Sequence, residues 1–282
     1  MTEDDVTDAE SAWHDAHSAN RERFRLPAVA RTPESSPSTA DRIRHLLLTD
    51  PAGSWVAVEK GEQVVGLAQA LVRDQLWVLS LLGVSPSCQD RGVGKALLDA
   101  ALSHGSTSPF GLILCSRDPR AARRYLQAGF DLHPSMMAWG RVARSRLPPT
   151  PRVRPGAIAD FGAVADLDRQ LRHGAHGPDL EWLVQHGRRL ILIPDRGYVV
   201  ARGAKPVVLA ARDEETAAEL LAASLGSAGE EEILDVQWIT AAQQWALRLV
   251  VECGLELHPM GPVMTRGFPG PLRTYVPSGA FG

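Results

Sequence analysis

The residues best suited to chemistry lie in one stretch, Gln89-Asp90-Arg91-Gly92-Val93-Gly94-Lys95. Gly92 and Gly94 let the main chain come close to a ligand. A helix that opens here leaves its first N–H groups without partners and carries a partial positive charge at that end. Such an end suits a phosphate or pyrophosphate, and Lys95 adds a full charge beside it. Ala96 follows Lys95, so this is no Walker A loop, and the Gly-x-Gly-x-x-Gly dinucleotide fingerprint is absent. Two glycines opening a helix also serve a plain tight turn, so the neighbouring elements decide. Other reactive types form no comparable group. Cys88, Cys115 and Cys253 have neither zinc spacing nor a disulfide framework. Cys88 reads as a small loop residue with no His beside it. His173, His176 and His186 fit no common zinc motif and read as solvated loop histidines.

The flanking pattern is strand, loop, helix. Leu76 to Leu82 is an apolar run of strand length, and Val93, Ala96, Leu97, Ala100 and Ala101 recur at helical spacing. Upstream, Asp4 to Asn20 reads as a helix with Val6, Ala9, Trp13 and Ala16 on one face. A Pro- and Ser-rich loop spans Arg31 to Thr39, and Asp41 to Leu48 is a short helix stopped at Asp50-Pro51. Ser54 to Glu59 and Gln63 to Val72 are strands joined by Lys60-Gly61-Glu62; with the Leu76 strand they make an antiparallel meander. Gly111 to Cys115 is a strand, Arg120 to Ala128 a helix ended by Gly129, and Met136 to Val142 a strand that closes a first domain.

Composition sets limits. Hydrophobic residues make up 44% and charged residues 22%, which fits a packed globular protein of one large or two ordinary domains. A net charge of −3 argues against a protein built to coat nucleic acid. The acidic N-terminus has no apolar signal core, and no apolar run is long enough for a membrane span. The expectation is a cytoplasmic protein without nucleic-acid or membrane partners.

Residues 84–95 resemble the acyl-CoA-binding core of the GNAT N-acetyltransferase superfamily. Gln89, Gly92 and Gly94 fill its Gln/Arg-x-x-Gly-x-Gly/Ala pattern, and Val84 and Pro86 match the Val-x-Pro that often precedes it. The segment Asp118 to Phe130 ends in the Tyr-x-x-x-Gly-Phe typical of the superfamily, here Tyr125, Gly129 and Phe130. The resemblance implies an α/β (α+β, mixed-sheet) fold, acetyl-CoA as co-substrate, no metal, and a primary amine on a small molecule or peptide as acceptor. It implies a cofactor site made of Leu82, Gly83, Val84, Gln89, Asp90, Arg91, Gly92, Val93, Gly94, Lys95, Asp118 and Ala121. Backbone groups at Leu82 and Val84 would meet the pantetheine arm and the thioester oxygen. Tyr125 matches the tyrosine that stands near the sulfur and protonates it; the alternative is a ring that only packs.

Three departures matter. Asp118 stands where the family often has Asn. The family's Glu is absent from Leu79-Ser80-Leu81, leaving Glu59, His133 or a water chain as base, with His133 beside Pro134 reading as a surface turn residue. The strand that usually precedes the first helix has almost no chain to form from. These keep a second reading open, a non-catalytic acyl-CoA-binding or regulatory module. Trp55, Trp77 or Trp139 are candidates to line a pocket.

The second half repeats the layout. Helices at Asp160–Leu171 and Pro178–His186 precede strands at Arg189–Ile193, Tyr198–Ala201 and Pro206–Ala210. A helix at Asp213–Leu225, a strand at Ile233–Ile239 and a helix at Ala241–Val251 follow. Two tandem GNAT-like domains are expected, residues 1–146 and 147–282, joined through the Pro- and Arg-rich Arg144–Pro155. Leu209 to Ala217, the second half's counterpart of the glycine loop, has no glycine, and Asp213, Glu214 and Glu215 would repel an anion. That domain is expected to be degenerate, ending in a tail from Gly267 that docks between the domains. The oligomeric state is left open between monomer and homodimer.

Overall fold

A computed structural model describes residues 1–24, 35–59 and 63–282, with only the backbone at 35–38. The turn Lys60-Gly61-Glu62 and residues 31–34 of the expected loop lie outside the described residues. In chain order the first half holds α1 (Val6–Arg23), α2 (Ser35–Thr49), β1 (Ser54–Val58), β2 (Val64–Arg73), β3 (Leu76–Val84), α3 (Val93–His104), β4 (Phe110–Leu114), α4 (Pro119–Gln127), β5 (Asp131–His133) and β6 (Ser135–Arg141). The second half holds β7 (Arg154–Pro155), α5 (Phe161–Arg172), α6 (Pro178–Gln185), β8 (Arg189–Ile193), β9 (Gly197–Arg202), β10 (Lys205–Ala211), α7 (Glu214–Leu225), β11 (Ile233–Thr240), α8 (Gln244–Glu252), β12 (Glu256–Pro259), β13 (Val263–Arg266) and β14 (Tyr275–Val276). The helix expected from Asp41 starts at Ser35, because Pro37 falls in its first turn, where its missing N–H costs nothing.

Among the described residues the first sheet runs β1-β2-β3-β4-β13-β5 and the second runs β14-β10-β9-β8-β7; a third is β11-β6-β12. The halves therefore exchange strands. β6, expected to close the first domain, pairs with β11 and β12 instead. In return, β13 from the second half pairs with β4 and β5.

Alternation along the strands sorts side chains onto two faces, as a period of two requires. Leu67 and Leu81 face α1 and α2, while Ala68, Ala70 and Leu79 join Leu97, Ile113 and Tyr125 under α3 and α4. A further cluster joins Leu71, Leu76, Val78 and Leu112 of the first half to Leu180, Tyr198, Val208 and Phe281 of the second. The halves thus share one core. Buried Arg73 reinforces it, bonding Asp50 at 2.8 Å in its own half and Asp179 at 2.8 Å in the other.

The tail docks between the halves. Tyr275–Val276 pairs along β10, Phe281 is fully buried, and the Ser80 hydroxyl donates to the Ala280 carbonyl at 2.5 Å. The Arg144–Pro155 segment is also held: Leu147 packs on a core cluster and Arg152 bonds Glu219 at 2.6 Å.

Candidate functional site

Strand β3 positions the site by leaving its neighbour. It runs parallel to β4 from Leu76 opposite Phe110 to Leu79 opposite Ile113, and the pairing stops there. On its other side the register with β2 slips between Leu79 and Leu81, so Ser80 is a bulge residue. Beyond it Leu82, Gly83 and Val84 remain paired with β2 only. Alternation in an antiparallel pair turns every second peptide group away from the partner, so part of this stretch offers free N–H and C=O groups to the gap. α1 passes close over Gly83: a Cβ there would stand 3.3 Å from Ala16 and 3.4 Å from Trp13.

The loop that follows delivers the glycines. Asp90 has φ +60° and Gly92 φ +86°, a left-handed conformation that favours glycine at the helix N-cap. The amides of Lys95 and Ala96 bond the Gly92 carbonyl, leaving those of Val93 and Gly94 at the open end of α3. A Cβ on Gly92 would meet nothing within 4 Å, and one on Gly94 would meet only Val84 at 3.6 Å. No protein atom crowds the Cβ side of Gly92, and Gly94 meets only Val84 there, so a ligand can come close to the main chain at this helix end. Lys95 is exposed and paired with Asp99 at 2.5 Å, within its own helix.

The loop is pinned from across the gap. Arg120, in the first turn of α4, bonds the Gln89 amide oxygen at 2.9 Å, both Asp90 oxygens, and both Asp118 oxygens. Gln89 in turn donates to the Val84 carbonyl at 3.0 Å. Asp118 caps α4 by accepting from the Arg120 N–H at 2.9 Å. Burial pushes the Asp118 carboxyl up, but hydrogen bonds from Arg120 outweigh it and hold it below the usual range. Asp118 is thus engaged within the protein, where the resemblance implied a cofactor contact. Arg91 reaches away to Glu59 at 2.9 Å, so Glu59 stands at the glycine loop as an ion-pair partner.

Tyr125 lies where the strands part. Its ring shares a core cluster with Leu79 and Ile113, the last paired residues, and with Cys115; Ala121, one turn earlier on α4, packs against the same cluster. The side chain is buried, and among the described residues its hydroxyl has no protein partner. Burial first, then the nearby Cys115 and Asp118, push the phenol well above its ordinary pKa, so it keeps its proton. Burial and the Asp118 charge also push the Cys115 thiol up to about 12, which leaves it a neutral donor to the Ser116 carbonyl.

Several expectations change. His133 is a strand residue rather than a surface turn, bonded to Thr265 at 2.8 Å beside a void of about 10 Å³. His176 is buried, not solvated: it bonds Asp168 at 2.7 Å, next to Tyr198. His173 and His186 stack on Phe110 and Trp182. Trp77 is core, donating to the Ala101 carbonyl, and Trp55 and Trp139 are exposed. Instead Trp13, Trp182 and Trp238 line a cleft of about 400 Å³ between the halves. Sequence reading missed this cleft and the Arg120 bridge because both join residues far apart in the chain. Among the described residues no group of three His, Cys, Asp or Glu could hold a metal, and no helix is long and apolar enough to cross a membrane.

In the second half, the slot beside β10 that corresponds to the β3 gap is filled by β14. The start of α7 is capped by Asp213, which accepts from the Thr216 N–H at 2.8 Å.

Comparison with known proteins fits this geometry. Residues 13–130 match the model of the Acetyltransferase (GNAT) family. A curated mycothiol acetyltransferase of Propionibacterium freudenreichii is 30% identical over 115 residues, covering 37% of this chain and 37% of that protein. Among solved structures, a putative acetyltransferase from Pyrococcus horikoshii superposes with a TM-score of 0.76 at 19% identity, over 100% of this chain and 94% of the other. A tandem GNAT protein from the clavulanic acid biosynthesis pathway superposes with a TM-score of 0.55 at 16% identity, over 93% of this chain and 96% of its own. The whole chain thus shares its fold with a tandem GNAT protein, and residues 13–130 match the acetyltransferase (GNAT) family.

Proposed function

We propose that this chain is an acetyl-CoA-dependent N-acetyltransferase, with its cofactor site in residues 1–146 and its acceptor a primary amine on a small molecule or peptide. The carrying observation is the gap: β3 leaves β4 after Leu79, the free cradle at Gly92 and Gly94 lies at its far end, and Tyr125 lies at its apex. Bound there, acetyl-CoA supplies an activated acyl thioester. The N–H groups at the start of α3 hold the pyrophosphate, with the loop conformation fixed by Gln89, Asp90 and Arg120. Backbone groups of Leu82, Gly83 and Val84 orient the pantetheine arm, and an N–H among them faces the carbonyl oxygen where negative charge develops. Tyr125, a neutral phenol at the apex, passes a proton to the leaving sulfur and takes back, through water, the one the attacking amine loses, so that no phenolate is left against its raised pKa.

Residues 147–282 act as packing partner, because β14 and the Asp213 cap occupy the places a second cofactor would need. The matching test is release of free thiol from acetyl-CoA in the presence of an amine panel. Release that depends on the acceptor supports the enzyme. Binding of acetyl-CoA without release under any amine would favour a binding module instead, a reading kept in view because Ser80, held by the tail, stands where the family's Glu is expected.

A further inference from the structure

The cleft of about 400 Å³ between the halves is the size of a small-molecule site. Its near wall touches the proposed reaction gap. Trp13 lies over Gly83 on the splayed part of β3, and Ala280 is bonded to Ser80 at the bulge. A molecule held in the cleft therefore has one end beside the stretch of β3 that orients the thioester.

Among small and apolar lining residues, the cleft carries four cationic side chains and three tryptophans. Arg42 stands over the Trp13 ring at 5.7 Å, with its Nε enclosed and without a partner. Across the cleft, Arg188 stands over Trp182 at 5.7 Å with Arg202 close enough to repel it. Lys205 is different, since Asp235 neutralises it at 2.6 Å. Trp238 adds an indole N–H that is buried and unpaired, on a backbone held at φ +61°. No acidic side chain lines the cleft among the described residues. Burial lowers Arg42 to about 10, as expected for a guanidinium enclosed without a counter-ion.

The enclosed, unpaired Nε of Arg42 and Nε1 of Trp238 are costly unless an acceptor enters, and among the described residues no carboxylate of the lining answers Arg42, half-buried Arg188 or exposed Arg202. From this we infer that the cleft is the acceptor pocket and that it selects amines which also carry an anionic group, a carboxylate or a phosphoryl group, at the end away from the reacting nitrogen. The inference rests on the acetyltransferase reading for the reaction. The anion site itself stands on the lining alone. The tryptophans supply flat walls for the body of the acceptor, and Arg188 and Arg202 receive its charge.

The experiment compares matched acceptors: glucosamine with glucosamine 6-phosphate, and phenylalanylglycine with its C-terminal amide. The two pairs separate a phosphoryl from a carboxylate preference. At low salt, kcat/KM should favour the anionic member of at least one pair by about tenfold or more, and the preference should shrink as salt rises. In the double variant Arg188→Gln/Arg202→Gln, one position half-buried and the other exposed, the anionic-to-neutral ratio should fall towards one. Equal use of both members, or a ratio unchanged in the double variant, overturns the inference. If no amine is acetylated, the acetyltransferase reading fails, and calorimetry of the same four compounds decides the anion site. Saturable binding of an anionic member that the double variant loses supports the site; no binding at millimolar concentration overturns it.

Discussion

Phe281→Ala removes a ring that is fully buried and contacts both halves at once. It lies 5.7 Å from His45 on α2, in the first half, and 5.5 Å from Trp182 on α6, in the second, edge-on to each. Truncating a Phe in such a site costs about 3–5 kcal/mol, of which edge-to-face contacts account for roughly 0.5–1.5 kcal/mol per pair. The Phe281 carbonyl keeps its 3.0 Å bond from Arg172, since the substitution spares the backbone. At about 2.1 cal/mol/K per residue, a chain of 282 residues should lose roughly 5–8 °C in Tm. Urea unfolding followed by tryptophan fluorescence and by far-UV circular dichroism measures the cost, and the two probes should shift together, because the halves share one core. A cost below about 1 kcal/mol would refute the argument. So would a shift seen by one probe alone, since that would mean the tail is attached to one half only.

Tyr125→Phe should lower kcat on the order of ten- to a thousandfold while leaving acetyl-CoA affinity nearly unchanged; an unchanged kcat where chemistry limits the rate removes it from the reaction. Gly94→Val should fold, because its Cβ meets only Val84 at an ordinary 3.6 Å, yet it should weaken CoA binding about tenfold or more by filling the cradle. Calorimetry should find one acetyl-CoA per chain; two sites, one of them surviving Gly94→Val, would contradict the assignment of residues 147–282 as packing partner. Burial alone would raise Asp50, but hydrogen bonds from His104, Arg73, the Val72 N–H and Thr49 hold it at about 2. Its folded pKa is depressed, so its contribution of about 2 kcal/mol is present above pH 4 and lost as pH falls towards 2. Asp50→Asn should flatten stability across that window, and an unaltered acid limb would exclude Asp50 as its source.

What the sequence made legible was local. The glycine loop, the strand before it and the helix after it are set by neighbouring residues: Gly92 needs its left-handed φ, and the Val93 helix follows directly. The second half's helices and strands fell close to their expected places for the same reason, since apolar periodicity is a short-range signal. The short β5, β7 and β14 were not legible, because two or three residues carry no period. Nor was the exchange of β6 and β13, since a strand's pattern fixes which face it buries and not which sheet it joins. The cleft between the halves was hidden for a similar reason. Trp13, Arg42, Trp182, Arg188 and Trp238 come from four distant segments, and only the docking of the halves brings them together.

The crossed strands also bear on how the chain comes into being. On a ribosome, β5 emerges well before its sheet neighbour β13, which follows roughly 130 residues later, about 6–26 seconds at usual synthesis rates. Throughout that interval β4 shows an unfilled edge, and β6 is waiting for two partners not yet made. The nascent chain therefore resembles an open clasp, ready to accept a matching strand from a neighbouring copy. Its sequence separation predicts slow closure, and crowded translation should raise the chance that two copies exchange these strands before each closes on itself.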